Sequence, residues 1–290
     1  MKLFEIGNGL ISIKAPSKYY SDWENEETVI LYTGSDTDIW IRLSVISVAP
    51  KDKSADNIFD TVIKNGCDAG YTVKIEDDKS YYRYISESKE EAAITFFYEI
   101  GYKYNYVIIT LTTLLEKKDD AETISALKDI EEIIPTISEI SLKDSALFEP
   151  KYTDFDGINE RISNILNVNK EQVDDLHEDE KTLPLIQSIL DRKLYDATQT
   201  AKLQSLGIAM GDYMQYKNPS FHWAVVRDEY GRDLCLQYQD YAINIFPMTM
   251  ISKRIEKGET VNVKGLVEGL FAQVEKIAND GEHKKLDHNF

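Results

Sequence analysis

The sharpest pattern of hydrophobic and polar positions lies in residues 221–263. Residues 221–226 form an apolar run of β-forming side chains, which is typical of a buried strand. Gly231 follows in a polar turn, and beyond it apolar and polar positions alternate, as in a strand with one face in the core. Residues 244–246 predict a short third strand that ends at Pro247, because proline cannot donate to a ladder. The stretch therefore predicts an antiparallel meander.

Helical periodicity flanks this predicted meander. A long helix is predicted over residues 196–213, and its Gly207 and Gly211 lie four positions apart, which lets another element pack closely. A shorter helix follows the meander, with Thr249 as its expected N-cap. The last helix is predicted over residues 263–279.

Shorter helices are expected before the long one. Apolar positions recur at helical spacing over residues 158–166, Asn169 is expected to cap a second helix, and Thr182 a third. Residues 138–154 contain a proline and few periodic apolar positions, so we expect a linker there.

Two runs of residues in this half carry a family resemblance. The first consists of Trp223, Val225, Asp228, Glu229, Tyr230, Gly231, Arg232, Asp233 and Leu234, and the second of Phe246, Pro247, Met250, Ile251, Lys253, Arg254, Ile255, Glu256, Gly258, Glu259, Val261 and Val263. With these runs, residues 150–280 resemble a bacterial family catalogued as domain of unknown function 3806. The resemblance implies an α+β fold and no established activity, so it transfers no catalytic residue.

The first half alternates between strand and helix patterns. Asn8-Gly9 is a strong turn signal and predicts an opening hairpin. Ser54 is expected to cap an amphipathic helix. Strands are expected at residues 3–6, 10–14, 29–33, 39–48, 71–76, 81–87, 92–100 and 104–115, and a second helix at 119–134. The spacing of Phe4, Gly9 and Pro16 resembles the opening of PsbP/Mog1-like proteins and implies their α/β/α sandwich.

Together these patterns predict an α+β protein of two domains. Residues 1–144 are expected to form a sandwich-like domain in which helices pack on an antiparallel sheet. Residues 145–290 are expected to form a helical segment, a three-stranded antiparallel meander and two helices.

The net charge limits the classes of molecule that the chain is expected to bind. The 290 residues include 33 basic and 51 acidic side chains, which give a net charge of −18. Binding to nucleic acid is disfavoured, because phosphate contacts need a cationic face. No signal segment and no apolar run of about 18 residues is present, so we expect neither secretion nor a membrane span. Two cysteines without a pair motif fit a cytoplasmic protein.

One acidic cluster is a candidate site. It consists of Asp174, Asp175, His177, Glu178, Asp179 and Glu180. A hard cation would suit these oxygens, but the spacing of a calcium loop is missing, so a solvated acidic face is favoured over a metal site. No metal or cofactor is predicted. The candidate partner-binding residues are Asp174, Asp175, Glu178, Asp179 and Glu180.

Catalytic motifs are weak. A nucleophilic pair of Cys235 and His222 is conceivable, but the predicted register places Cys235 opposite a residue near 225 instead. Asp228, Arg232 and Asp233 are expected to brace the hairpin turn by charge-assisted hydrogen bonds. The 18 tyrosines, which are dense at residues 81–84 and 98–106, suit either half-buried sheet positions or a protein-binding surface.

These observations favour a non-enzymatic cytoplasmic protein that binds a basic protein. The more specific hypothesis is an immunity or accessory protein of a bacterial toxin or secretion system. The alternative is a small-molecule-binding protein or enzyme with its site in the cleft between the two domains. A flat acidic and aromatic surface favours the first class, and a pocket with converging polar groups favours the second.

Overall fold

The chain folds into two compact units, Met1–Tyr152 and Thr153–Phe290, which we call unit 1 and unit 2. The predicted α+β class with antiparallel sheets is confirmed. The predicted boundary between residues 144 and 145 falls outside the described residues. The structure is a computed structural model and describes residues 1–34, 39–47, 57–140, 146–239, 241 and 243–280.

Unit 1 is built mainly from strands. Those described are β1 (Lys2–Ile6), β2 (Ile11–Ala15), β3 (Tyr20–Trp23), β4 (Thr28–Tyr32), β5 (Trp40–Ser47), β6 (Lys74–Glu76), β7 (Lys79–Ser88), β8 (Ala93–Tyr102), β9 (Asn105–Leu114), β10 (Ser138–Glu139) and β11 (Ala146–Phe148), with helices α1 (Ile58–Asp68) and α2 (Ala121–Ile133). A large antiparallel sheet has the order β3-β4-β5-β9-β8-β7-β6, and a small one has the order β1-β2-β10. Strand β3 was missed by the sequence pattern, because it is short and polar.

The two faces of the large sheet have different environments. The inner face carries residues such as Leu43, Ile100 and Ile109, which share one core with the small sheet and with Ile130 of α2. The outer face of β5, β7, β8 and β9 is half-buried or exposed along much of its length. Helix α1 packs at one end of this outer face, where a Cβ on Gly101 would lie 2.7 Å from the carbonyl oxygen of Ile58. The predicted cap of this helix, Ser54, lies outside the described residues.

The boundary between the two units falls inside the predicted linker at residues 138–154, but the described part of this segment has regular structure. The segment contains β10 and β11, and the Lys151 side chain is fully buried. The Lys151 Nζ lies 3.1 Å from the backbone oxygen of Glu5, 3.9 Å from its carboxylate and 4.1 Å from the centre of the Trp23 ring. A buried ammonium needs such partners, so Lys151 is an integral part of unit 1.

Unit 2 combines helices with a meander. Its elements are α3 (Tyr152–Leu166), α4 (Val173–Glu178), α5 (Thr182–Asp191), α6 (Thr200–Lys217), β12 (Phe221–Asp228), β13 (Gly231–Tyr238), β14 (Asn244–Ile245), α7 (Pro247–Glu256) and α8 (Val263–Asn279). The antiparallel pairing of β12 with β13 and of β13 with β14 confirms the predicted meander. No helix in the described parts of the chain is long and apolar enough to span a membrane.

Close packing at the two glycines of α6 is confirmed. A Cβ on Gly207 would lie 2.3 Å from the carbonyl oxygen of Pro247. A Cβ on Gly211 would lie 2.7 Å from the Pro247 ring and 2.9 Å from the ring of the buried Trp223. The glycines therefore let the start of α7 and the indole of β12 approach the α6 backbone.

Two predicted caps are wrong, and one is confirmed. Thr182 lies inside the first turn of α5, whose N-cap position is Lys181. Thr249 lies inside α7, because that helix starts at Pro247. Proline is suited to the first position of a helix, where the amide hydrogen that it lacks would have no partner within the helix. Asn169 forms the expected capping box at the turn that leads into α4.

The predicted long helix is shifted along the chain. It was expected at residues 196–213 and spans Thr200–Lys217. The carboxylate of Asp196 accepts hydrogen bonds from the amide and hydroxyl of Thr198 at 2.8 and 2.6 Å. This local turn competes with helix formation, as short polar side chains often do.

Candidate functional site

Three tyrosine hydroxyls converge on one carboxylate on the outer face of the large sheet. Glu99 lies in β8, and its Oε2 accepts hydrogen bonds from the hydroxyls of Tyr82 and Tyr106. Its Oε1 accepts a hydrogen bond from the hydroxyl of Tyr84 at 2.9 Å. We call this site the tyrosine–glutamate cluster; it consists of Tyr71, Tyr82, Tyr84, Phe97, Glu99 and Tyr106.

Sheet register brings the cluster together. Tyr82 in β7 pairs with Glu99 in β8, and Tyr84 pairs with Phe97. Side chains two apart on a strand point to the same face, so these four lie on one surface. Tyr106 enters from β9, where it pairs with the residue two positions beyond Glu99. Three neighbouring strands therefore supply the hydroxyls and the acceptor.

Aromatic rings form a stack beside the carboxylate. The ring of Tyr71 lies parallel to those of Tyr82 and Tyr84, with centroids 5.5 and 5.4 Å apart. The ring of Tyr84 stacks on Phe97 at 4.8 Å. Tyr71 follows α1, and its amide donates to the carbonyl of Gly66 at 2.8 Å, which fixes the ring over the sheet. Tyr71 remains 40% exposed and presents aromatic surface to solvent.

The environment keeps the phenols protonated. Burial, followed by the hydrogen bond to Glu99 and its charge, raises the pKa of Tyr84 to about 12. The same causes raise the pKa values of Tyr82 and Tyr106 well above their usual range. At neutral pH the three hydroxyls therefore act as hydrogen-bond donors, and none of them is a base or nucleophile.

The charge on Glu99 is stabilised by neutral donors. Within the described part of the chain, no lysine or arginine forms an ion pair with it. Glu99 is half-buried on an open sheet face and is bordered by aromatic rings. A carboxylate and ring faces both attract cations. The geometry is therefore suited to binding a positively charged group.

The predicted partner-binding residues lie elsewhere, on α4 and the turn that follows it. All five carboxylates, Asp174, Asp175, Glu178, Asp179 and Glu180, are exposed. Two of them form ion pairs on the surface, Asp179 with Lys181 at 2.5 Å and Glu180 with Lys217 at 2.9 Å. No group of three or more His, Cys, Asp or Glu in the described residues could hold a metal ion.

His177, from the same sequence cluster, turns into the core. Its Nδ1 lies 2.7 Å from the Thr182 hydroxyl, and its Nε2 lies 3.0 Å from a carboxylate oxygen of Asp212. Trp223 donates from its indole nitrogen to Asp212 at 3.4 Å. The set contains hydroxyl, imidazole and carboxylate, but Thr182 is fully buried and cannot meet a substrate. The network therefore ties α4 and α5 to α6.

The remaining sequence candidates have structural roles. Cys235 pairs with Ala224, is fully buried, and its pKa is raised to about 12 by burial and by Asp233. His222 instead contacts Gln237 at 3.2 Å. A nucleophilic thiolate is therefore disfavoured at this position.

The hairpin turn is braced differently from the prediction. Asp228 accepts a hydrogen bond from the amide of Tyr230 at 2.8 Å, as a turn residue does. Arg232 forms its bidentate ion pair with Asp154 of α3, at 2.6 and 2.7 Å, rather than within the turn. The expected bracing is therefore confirmed for Asp228, whereas the Arg232 guanidinium binds a helix distant in sequence.

Sequence reasoning found only part of the cluster. The dense tyrosines included Tyr82, Tyr84 and Tyr106, whereas Glu99 and Tyr71 were not singled out. One feature of the sequence could have located the cluster. Tyr82 and Tyr84 are two residues apart in a predicted strand, so both rings are expected on the same face of the sheet. Their shared acceptor could not be chosen among many carboxylates, because that choice depends on register.

Comparison with known proteins finds a family model that matches part of the chain and a solved structure with a similar fold. Residues 182–266 match the family model described as "Domain of unknown function (DUF3806)". This range lies inside the predicted resemblance at 150–280 and is narrower. No curated protein sequence matches the chain.

Two solved structures are similar to different extents. A crystal structure from Bacteroides thetaiotaomicron VPI-5482 is 15% identical, with a TM-score of 0.70, over 93% of this chain and 98% of that chain. At this identity it supports the fold alone. The solution structure of cyanobacterial PsbP (CyanoP) from Synechocystis sp. PCC 6803 is 10% identical over 48% of this chain and 93% of that chain, with a TM-score of 0.32. The similarity to the PsbP structure is too low to support any inference about this chain.

Proposed function

We propose that this chain is a non-enzymatic protein-binding protein, and that the outer face around the tyrosine–glutamate cluster engages a basic partner. The observation that carries the proposal is the carboxylate of Glu99, held by three phenol donors among stacked rings on an open sheet face. Tyrosine contributes contact area at low cost in conformational entropy, which suits binding surfaces.

The net charge supports a basic partner. A charge of −18 attracts cationic proteins over long range and raises their association rate. The five carboxylates of α4 and its following turn would contribute to this steering, whereas affinity would come from buried aromatic anchors. Salt should therefore slow association far more than it speeds dissociation, since screening shortens the reach of charge to roughly 8 Å at physiological ionic strength.

The more specific form of the proposal is a cytoplasmic immunity or accessory protein of a bacterial toxin or secretion system. It is supported by the acidity of the chain. A small-molecule-binding protein or enzyme remains the rival class.

Site-specific cross-linking tests the proposal. A photoreactive phenylalanine analogue replaces Ile46 or Tyr71 on the outer face, and Ile124 of α2 serves as the matched exposed control. After irradiation in the native cells, captured proteins are identified by mass spectrometry and the complex is rebuilt from purified components. We expect one basic protein captured from residues 46 and 71 and none from residue 124.

A second measurement addresses the charge patch. Replacing Asp174, Asp175, Glu178, Asp179 and Glu180 by their amides should slow association with the captured partner and leave the thermal midpoint nearly unchanged. An acidic partner, equal capture at residue 124, or an association rate indifferent to salt would contradict the proposal and favour the rival class.

A further inference from the structure

We infer that the group bound at Glu99 is a single primary ammonium, as on a lysine side chain of the partner, rather than an arginine guanidinium. This inference rests on the proposed function and specifies the chemistry of its anchor. It follows from the hydrogen-bonding capacity that Glu99 retains, and from the way in which Asp129, another carboxylate of unit 1, binds a tyrosine hydroxyl and a lysine.

Most of the hydrogen-bond acceptor positions of the Glu99 carboxylate are occupied. An ionised carboxylate offers about four acceptor positions, two on each oxygen. Tyr82 and Tyr106 occupy both positions on Oε2, and Tyr84 occupies one on Oε1. One position on Oε1 remains. A guanidinium binds a carboxylate best as a fork with one free position on each oxygen, whereas an ammonium needs only one.

The rings are compatible with the same ligand. Either kind of cation gains energy over the face of a tyrosine, within about 6 Å of the ring centroid, so the choice between them rests on the acceptor positions of Glu99. The Tyr84 hydroxyl reaches Oε1 of Glu99, and the Tyr84 ring stacks on that of Tyr71. An ammonium can therefore contact ring surface while it makes its one hydrogen bond to Oε1.

Unit 1 contains another carboxylate that binds both a tyrosine hydroxyl and a lysine ammonium. The Tyr19 hydroxyl donates to Asp129 at 2.8 Å, and Lys18 pairs with the same carboxylate at 2.6 Å while it lies 5.3 Å from the Tyr19 ring. Each cation–π contact found in the described residues has lysine as its cation. Glu99 has the phenols and the rings of such a triad, and a partner lysine would complete it.

Small cations test the selectivity without the partner. n-Butylammonium and n-butylguanidinium are titrated separately into the full chain, and the tyrosine ring resonances are followed by NMR. We expect n-butylammonium to bind several-fold more tightly and to shift the rings of Tyr71 and Tyr84. Glu99→Gln should weaken its binding at least about tenfold, a typical effect of losing one charge-assisted hydrogen bond. Glu139→Gln, an exposed carboxylate paired with Lys103, is the control and should bind as the wild type does.

A conservative variant provides a sharper test. Tyr106→Phe keeps the ring and frees one acceptor position on Oε2, so that both oxygens of Glu99 gain a free position. The preference for n-butylammonium over n-butylguanidinium should then shrink or reverse. Tyr20→Phe, an exposed tyrosine outside the cluster, should leave the preference unchanged. A merely structural role of Tyr106 would weaken both ligands equally and would contradict the inference.

The outcomes separate the inference from the proposed function. Tighter binding of n-butylguanidinium by the wild type, or no saturable binding of n-butylammonium, overturns the inference. A further variant, K51M/K53M, tests whether the chain itself supplies the ammonium that binds Glu99; both lysines lie outside the described residues. If this variant binds n-butylammonium markedly more tightly than the wild type does, the inference is also overturned. Cross-linking from residues 46 and 71 to a basic protein would still support the proposed function in each case.

Discussion

The contact between α6 and α7 can be tested by adding a single methyl group. Gly207→Ala places a Cβ 2.3 Å from the carbonyl oxygen of Pro247 and 3.0 Å from that of Met248. Both obstacles are backbone atoms, so no flexible side chain can move aside. Helix α7 must shift, or α6 must bend, before the methyl group fits.

The expected loss of stability follows from two opposing terms. Replacing glycine by alanine inside a helix stabilises it by about 1 kcal/mol. Overpacking a tight contact costs about 1–3 kcal/mol of stability. Because the obstacle at 2.3 Å is a backbone atom, we expect the cost at Gly207 to lie at the upper end of this range or above it. We therefore expect a net loss of about 2 kcal/mol, which corresponds to a fall of about 4–8 °C in the thermal midpoint.

Two control glycines isolate the packing term. Gly157 in α3 and Gly269 in α8 are also helical, and a Cβ on either would meet nothing within 4 Å. Their alanine variants should be as stable as the wild type or up to about 1 kcal/mol more stable. Urea unfolding followed by tryptophan fluorescence measures all three. A Gly207→Ala variant as stable as the controls would refute the close contact between the helices.

Two further predictions concern the buried lysine and the tyrosine hydroxyls. The isolated chain 1–152 should unfold cooperatively at a higher urea concentration than chain 1–144, which loses Lys151 as a partner of the buried Glu5; equal midpoints would contradict this. The second prediction is that the free energy of unfolding of the whole chain falls as the pH rises above about 10. In the unfolded chain the tyrosines lose their protons near that pH, whereas in the folded chain Tyr84, with its pKa raised to about 12, still holds its proton. In Glu99→Gln the acceptor charge is gone, so the loss should be shallower and tyrosinate absorbance should develop at lower pH; an unchanged titration would contradict the assigned hydrogen bonds.

Local features of the fold were predictable from the sequence. The hairpin at Gly231 and the final helix at Val263–Asn279 were located correctly, because turn propensity and helical periodicity act over a few residues. The glycines four apart in α6 also predicted close packing, since the absence of a Cβ is itself the cause. Polar turns such as the one at Asp196 shifted helix ends, because side chains there compete for the same amides.

The candidate site was decided by tertiary structure. Tyrosines in alternation predicted a ring-bearing sheet face, but only the register of three strands selected Glu99 as their common acceptor. Likewise, nothing local to Lys151 indicates that it is buried against Glu5, which lies 146 positions earlier in the chain. Side-chain periodicity reports which face a residue occupies. Which distant residue shares that face depends on strand register and core packing, and these are settled only when the whole chain folds.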